Sequence, residues 1–139
     1  MVDPIQYRAT VIAALRTLPG VAVYDGSVPA KVPTDAAGYV LPYVVFHGGT
    51  GDEIPERGLS NLVDLDGLRW DSQTNTVAAN ADICARVAND VRRKLTNLPL
   101  GTAHLLPNPD GFRQETPLRD TSETPARFML PAPWRLETT

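Results

Sequence analysis

The chain has 139 residues, a formal net charge of -3, 42% hydrophobic residues and 21% charged residues. This length favours a single domain over residues 1–139, and the composition is that of a folded globular protein. The negative charge gives no general attraction to nucleic acid or to an anionic membrane. The sequence predicts neither a signal peptide nor a membrane-spanning helix. The single cysteine, Cys84, excludes an internal disulfide and agrees with a reducing compartment.

The N-terminal part of the chain predicts one helix followed by two strands. Pro4 suits the first turn of a helix, and an apolar stripe predicts that this helix covers residues 4–17. The stripe consists of Ile5, Ala9, Ile12 and Leu15. Strands are predicted over 21–24 and 41–47, with a proline-containing loop between them.

The middle of the chain predicts an acidic loop and a hairpin. Residues 50–66 are polar, acidic and without periodicity, which indicates a long exposed loop. Alternation of apolar or small residues with charged or amide residues over 68–76 predicts a half-buried strand. Asp66-Gly67 before this strand predicts a turn that pairs it with residues 62–65.

The C-terminal part predicts a second helix over residues 81–96, followed by strands at 102–106, 112–118 and 126–130. The proline-rich residues 131–139 are expected to form an extended tail. Two helices and several hairpin-type connections indicate an α+β domain. The expected sheet is mainly antiparallel, with both helices packed on one face and the element order α-β-β-β-α-β-β.

No motif predicts an enzyme, a cofactor site or a metal site. His47, His104 and Cys84 lack the paired spacing of zinc ligands. Residues 48–51 are glycine-rich but lack the Gly-Lys-Ser/Thr ending of a phosphate-binding loop. No serine lies in a Gly-x-Ser-x-Gly setting.

Two other features suggest a surface function. Six acidic and two basic residues lie between positions 50 and 75, which gives a local net charge of -4. A negatively charged surface repels a polyanion, so this charge suits a surface along which a polyanion must move without binding. The C-terminal end is rich in apolar and aromatic residues, which partner-binding surfaces also use.

The order of these patterns resembles the tail terminator, or tail-completion, proteins of long-tailed bacteriophages, especially those that infect actinobacteria. The resemblance covers nearly the whole chain but has no single diagnostic motif. It is carried by the helix 4–18 ending in Leu-Pro-Gly, residues 23–29, the strand 41–46, Arg69-Trp70-Asp71, the helix 81–95, residues 126–128 and Trp134-Arg135-Leu136.

The resemblance implies a structural virion protein at the head-proximal end of the tail, assembled in the host cytoplasm. Its subunits form a ring, six in the family, that caps the tail tube, stops its polymerisation and meets the head–tail connector protein. The major tail tube protein is the second partner, and DNA passes through the lumen without specific binding. The family needs no active site or cofactor.

Two sets of candidate contact residues follow from this resemblance. The loop facing the lumen or a neighbouring ring would include Asp52, Glu53, Glu56 and Arg57. Subunit or tube contacts would involve Trp70, Phe128, Met129 and Trp134. A head–tail connector or head-completion ring subunit is an alternative in the same assembly. A small-molecule-binding domain or an enzyme with an unrecognised site is an alternative of another class.

Overall fold

A computed structural model of the chain describes residues 4–49, 52–53, 56–57, 63–64, 68–111 and 114–137. Within these ranges the chain forms two helices and ten strands. Their bounds are α1 Pro4–Leu15, β1 Ala22–Asp25, β2 Tyr43–Gly48, β3 Asp52–Glu53, β4 Glu56–Arg57, β5 Val63–Asp64, β6 Leu68–Ala78, α2 Ala81–Leu95, β7 Leu98–Leu100, β8 Ala103–Pro107, β9 Leu118–Asp120 and β10 Arg127–Glu137.

The main sheet has the strand order β1-β2-β6-β10-β8-β7, with β3 added to β6 and β9 added to β10. β1 and β2 are parallel, and the other described strand pairs are antiparallel. β4 and β5 form a separate two-stranded sheet. Both helices pack on one face of the main sheet and share one core with it. The predicted α+β class is confirmed.

Helix α1 buries a face that is only partly the one predicted. Ile5 is 66% exposed and Ala9 is exposed, so the first half of the predicted stripe is wrong, whereas Ile12 and Leu15 are buried as predicted. The buried face consists of Tyr7, Val11, Ile12 and Leu15. The ring of Tyr7 lies 6.2 Å from the ring of Trp70, centroid to centroid. The large aromatic side chain turns the helix because it buries more apolar surface than the alternative face.

Helix α2 matches its prediction to within one residue. Asn80 caps the N-terminus, since its Oδ1 accepts a hydrogen bond from Ile83 N at 2.9 Å. Basic side chains occupy the last turn, where they suit the negative end of the helix dipole. The buried face consists of Cys84, Val87, Val91 and Leu95.

The central strand, β6, pairs with β2 on one side and with β10 on the other. Its buried residues under the helices are Trp70, Ser72, Thr74 and Thr76, which confirms the predicted alternation. The predicted hairpin is wrong, because β5 pairs with β4 and not with β6. β6 has 11 residues. It forms more cross-strand side-chain pairs with β2 and β10 than it could form with the two-residue strand β5, and these pairs stabilise the sheet.

Strand β10 replaces the predicted C-terminal tail. It runs to Glu137 and pairs continuously with β6 from Phe128 to Glu137. The apolar side chains at Leu130, Trp134 and Leu136 are buried, so the pattern of a half-buried strand continues past the prolines. The prolines are the reason that the sequence predicts an extended tail here. A proline is nevertheless compatible with a strand at a position where no N–H donor is needed.

Two smaller differences concern the segments that flank β8. Strand β7 was not predicted, because Pro99 interrupts a very short apolar run. The predicted strand over 112–118 lies partly outside the described residues; its described part is irregular over 114–117, and the strand there is β9. A second apolar cluster on the face away from the helices includes Val40, Tyr43, Val45 and Val77.

Candidate functional site

Two of the four predicted partner-contact residues belong to the core. Trp70 is 0% exposed and Trp134 is 1% exposed. Trp70 Nε1 donates to Gly49 O at 2.8 Å, and Trp134 Nε1 donates to Thr74 Oγ1 at 3.0 Å. Side chains without exposed surface offer no contact to a partner, so this assignment is wrong for both tryptophans.

The other two residues of that set, Phe128 and Met129, are half-buried at the start of β10. Phe128 packs beside the cluster that contains Cys84, and Met129 packs beside the cluster on the opposite face. Both keep part of their surface exposed. They remain candidates for a partner contact.

The acidic segment is carried by short β-ladders. β3 extends the sheet beside the start of β6, and β4 pairs with β5. The predicted contact residues of this segment therefore have strand backbone instead of the predicted loop: Asp52, Glu53, Glu56 and Arg57. The rest of the predicted loop, at 50–51, 54–55, 58–62 and 65–66, lies outside the described residues.

An ion-pair network on the face away from the helices was not predicted. Arg135 Nε lies 2.8 Å from Asp71 Oδ1, and Arg135 Nη1 lies 2.6 Å from Asp110 Oδ2. These hydrogen bonds, to Asp71 first and then to Asp110, raise the pKa of Arg135 above its usual value. Arg69 pairs with Glu137 at 3.4 Å. The negative charge of Asp71 is therefore balanced by Arg135 within the fold.

A cavity of about 360 Å³ lies beside β10 and next to α2. β9 pairs with β10 over Arg127–Met129, and β8 pairs with it at Trp134–Arg135. In the part of the chain that the structure describes, no strand covers β10 on that side between these two ladders. The space, which we call the β10 cavity, is lined by residues that include Ala88, Arg92, Asn108, Leu130, Pro133 and Trp134.

Two prolines explain the gap in the ladder. Asn108 N donates to Pro133 O at 3.1 Å, so alternate residues in this part of β10 direct their backbone groups away from β6. Pro131 and Pro133 occupy two such positions, and a proline has no backbone N–H. β10 therefore offers no hydrogen-bond donor at these two positions to a neighbouring strand. Gly111 permits a close approach, because a Cβ at Gly111 would lie 2.6 Å from the Cβ of Pro133.

The β10 cavity offers groups for binding but no acid–base pair. Among its lining residues in the described ranges, Arg92 is the only ionisable side chain, and Asn108 and Gln114 supply amides. An acid–base mechanism needs a group that exchanges protons near neutral pH, and an arginine does not do so. This arrangement suits binding of an anionic group.

The three soft metal ligands considered from the sequence are not brought together. His47 lies on β2 and His104 lies on β8, with β6 and β10 between them in the sheet. Cys84 lies under α2 with Ala78 and Leu130, and burial raises its pKa to about 11. Within the described ranges, no cluster of three or more potential ligands could hold a metal ion.

Of the two strands at the ends of the order β1-β2-β6-β10-β8-β7, β1 has an edge that is unpaired within the described ranges. In β1, Ala22 N and Gly26 N donate to carbonyl groups of the β2 side. By alternation, the backbone groups of Val23 and Asp25 point to the other side, where no strand of the described ranges pairs with them. An edge of this kind can accept a strand from another chain.

The opposite edge is blocked. The β7–β8 hairpin closes at the pair Leu100 and Ala103, and the turn contains Gly101 with a φ of 64°. The closing pair of a two-residue hairpin is hydrogen-bonded, and hydrogen-bonded pairs alternate with non-hydrogen-bonded pairs along an antiparallel ladder. The backbone groups of Pro99, in the next pair, therefore point away from β8. A proline there removes the donor that a further strand would need.

The comparisons with known proteins identify no family. No protein-family model matches the chain, and no curated protein matches it significantly. No helix within the described ranges is long and apolar enough to span a membrane. The function is therefore inferred from the geometry above and from the resemblance noted in the sequence.

Proposed function

We propose that the chain is a ring-forming structural protein of a bacteriophage virion. Its subunits, six by analogy with the family it resembles, cap the tail tube, stop tube polymerisation and join the tail to the head connector. DNA passes through the lumen without specific binding. In this role the protein needs no active site and no cofactor.

The observation that carries the proposal is the two-stranded ladder of β4 and β5, which pairs with no other strand of the described ranges. An isolated pair of strands is at best marginally stable in water, so such a pair gains stability when a neighbouring chain covers it. A ring places a neighbour against every subunit, which supplies that cover. The resemblance assigns this same segment to a contact within the lumen or with a neighbouring ring.

The charge of the segment supports a position facing DNA. Between residues 52 and 66, five acidic residues and one basic residue give a net charge of -4. This value excludes Asp71, which is paired with Arg135. A negative wall repels the phosphate backbone and prevents the passing polymer from adhering.

The unlike edges of the main sheet support a head-to-tail contact between subunits. β1 is open to a strand from another chain, and β7 is blocked by Pro99. A contact that joins a surface to a different surface of the next copy produces a ring when the rotation closes. Two open edges of the same kind would instead favour unlimited edge-to-edge growth.

A tube-growth assay tests the proposal. Purified major tail tube protein from the same phage is polymerised with and without this chain, and tube lengths are measured by electron microscopy. We expect tubes of limited length that carry a ring at one end. Unlimited tubes, together with binding to portal or adaptor protein, would favour the head–tail connector alternative.

A charge reversal tests the role of the acidic segment. The variant combines Asp52→Lys, Glu53→Lys and Glu56→Lys, and the control combines Asp52→Asn, Glu53→Gln and Glu56→Gln. We expect both variants to fold and cap tubes, and we expect only the lysine variant to slow DNA ejection from assembled virions. Ejection at the wild-type rate with lysines would remove the segment from the lumen.

A further inference from the structure

We propose that the β10 cavity binds a small apolar carboxylate, with the carboxylate at Arg92 and the apolar body between α2 and β10. This site is separate from the acidic segment, and the inference does not depend on ring formation. Its volume of about 360 Å³ lies near the lower end of the range of about 300–1,000 Å³ for ligand pockets. The space therefore suits a small molecule or the end of a peptide.

The wall of the cavity determines the apolar character of the ligand. Pro131 and Ala132 contribute from β10 and Ala88 contributes from α2, and all three are half-buried and keep part of their surface accessible. Pro133 adds a ring at the gap in the ladder. Such a wall favours a ligand that buries apolar surface against it. A sugar-like body would instead lose hydrogen bonds to water without replacing them.

Arg92 determines the charge of the ligand. It has no ion-pair partner among the described residues and is the only ionisable side chain on the described wall. Arg93 and Lys94 share its helix end, where the dipole favours all three cations. Only Arg92 of these three lines the cavity. An unpaired guanidinium matches the two oxygens of a carboxylate.

Asn108 supports the choice of an anion. Its Oδ1 already accepts a hydrogen bond from Asp110 N at 3.0 Å, so the group left for a ligand is the Nδ2 donor. The described wall thus offers one cation and the amides of Asn108 and Gln114, and Gln114 Nε2 already donates to Thr116 O at 2.7 Å. A phosphate monoester carries about 1.5 to 2 negative charges at pH 7, more than this wall balances. A carboxylate carries one.

Isothermal titration calorimetry on the full chain tests the site with a matched pair of probes, naphthalene-2-carboxylate and naphthalene-2-carboxamide. The carboxylate should bind saturably with a 1:1 ratio, and the amide should bind more weakly. Arg92→Gln should weaken carboxylate binding by about tenfold or more. The control, Arg93→Gln, removes the neighbouring charge and should leave the affinity unchanged, with circular dichroism confirming that both variants fold.

A second pair of probes distinguishes two sources of the same chemistry. A hexapeptide that ends in phenylalanine is titrated with a free and with an amidated carboxyl terminus. Competition by the free-terminus peptide would identify a protein carboxyl terminus as the ligand, and its failure would identify a free small acid. Absence of saturable binding, equal affinity for acid and amide, or equal losses in Arg92→Gln and Arg93→Gln would overturn the proposal.

Discussion

The two faces of β6 and β10 are stabilised in different ways. The face under the helices is closed by two buried tryptophans, each of which donates its indole N–H to a partner within the fold. The other face is held near Arg135 by ion pairs with Asp71 and Asp110. Burial of apolar surface dominates on the first face. The second face combines a smaller apolar cluster around Val77 with screened ion pairs around Arg135.

This difference separates stability from interaction. A core face tolerates little change, because it is closely packed and has no surface to offer. On the outer face, by contrast, Asp71 and Asp110 are exposed. The aromatic residues that looked like contact residues in the sequence, Trp70 and Trp134, are therefore in the wrong place for that role.

The largest expected effect on stability comes from a substitution on the face of the sheet under the helices. Trp134→Ala should lower the free energy of unfolding by about 3–5 kcal/mol, because it removes a buried ring and leaves Thr74 Oγ1 without its donor. Urea denaturation measures this change. The control is Leu106→Ala, at a side chain that is 47% exposed, and it should change stability by less than about 0.5 kcal/mol. Similar losses at both sites would erase the contrast between core and surface.

A smaller effect is expected on the outer face. Arg135→Met should lower the melting temperature at low salt, because Asp71 and Asp110 lose their cation while the side-chain stem is kept. The difference from wild type should shrink at high salt, where exposed ion pairs are screened. Arg119→Met, at an exposed position of β9, serves as the control. A difference that is insensitive to salt would mean that packing, not charge, holds this face.

Cys84 sharpens the contrast through pH. Burial raises the pKa of its thiol from 9.0 to about 11, so the folded chain retains the proton at a pH where the unfolded chain has lost it. Stability from this group is complete below pH 9.0 and falls as the pH rises towards 11. In the Cys84→Ala variant, the free energy of unfolding should decrease less between pH 9.0 and 11 than in the wild type. Identical pH profiles from denaturation experiments would contradict the burial of the thiol.

The smallest effect is expected at the turn after β9. The hydroxyl and backbone N–H of Ser122 donate to Asp120 and lower the pKa of that carboxyl below its usual 3.8. The contribution of Asp120 to stability is present above pH 3.8 and is lost as the pH falls through the lowered pKa. Ser122→Ala should raise this pKa in an NMR titration, and Thr121→Ala should not. An unchanged value in Ser122→Ala would remove the hydroxyl as its cause.

Local signals made part of the fold predictable. Alternation along β6 and the apolar stripe of α2 are properties of neighbouring residues, so the sequence predicts both elements. The pair of Arg135 with Asp71 joins residues 64 positions apart, and only the register of β6 against β10 brings them together. The buried face of α1 likewise depended on which side chain would meet Trp70.

The candidate sites were harder to predict for the same reason. Pro131 and Pro133 indicated a tail locally, yet in the sheet they mark the gap that forms the β10 cavity. Arg92 is locally only a cation at the end of a helix, because the wall opposite it comes from a distant strand. The acidic bias of residues 52–66 was visible from composition alone, since net charge does not depend on the fold.

Native mass spectrometry tests the central claim most directly. The purified chain is measured alone and then with tail tube protein from the same phage. We predict a closed ring of six subunits, or a monomer that assembles into such a ring on tube ends and halts their growth. A chain that remains monomeric and does not bind the tube under both conditions would contradict the proposed function.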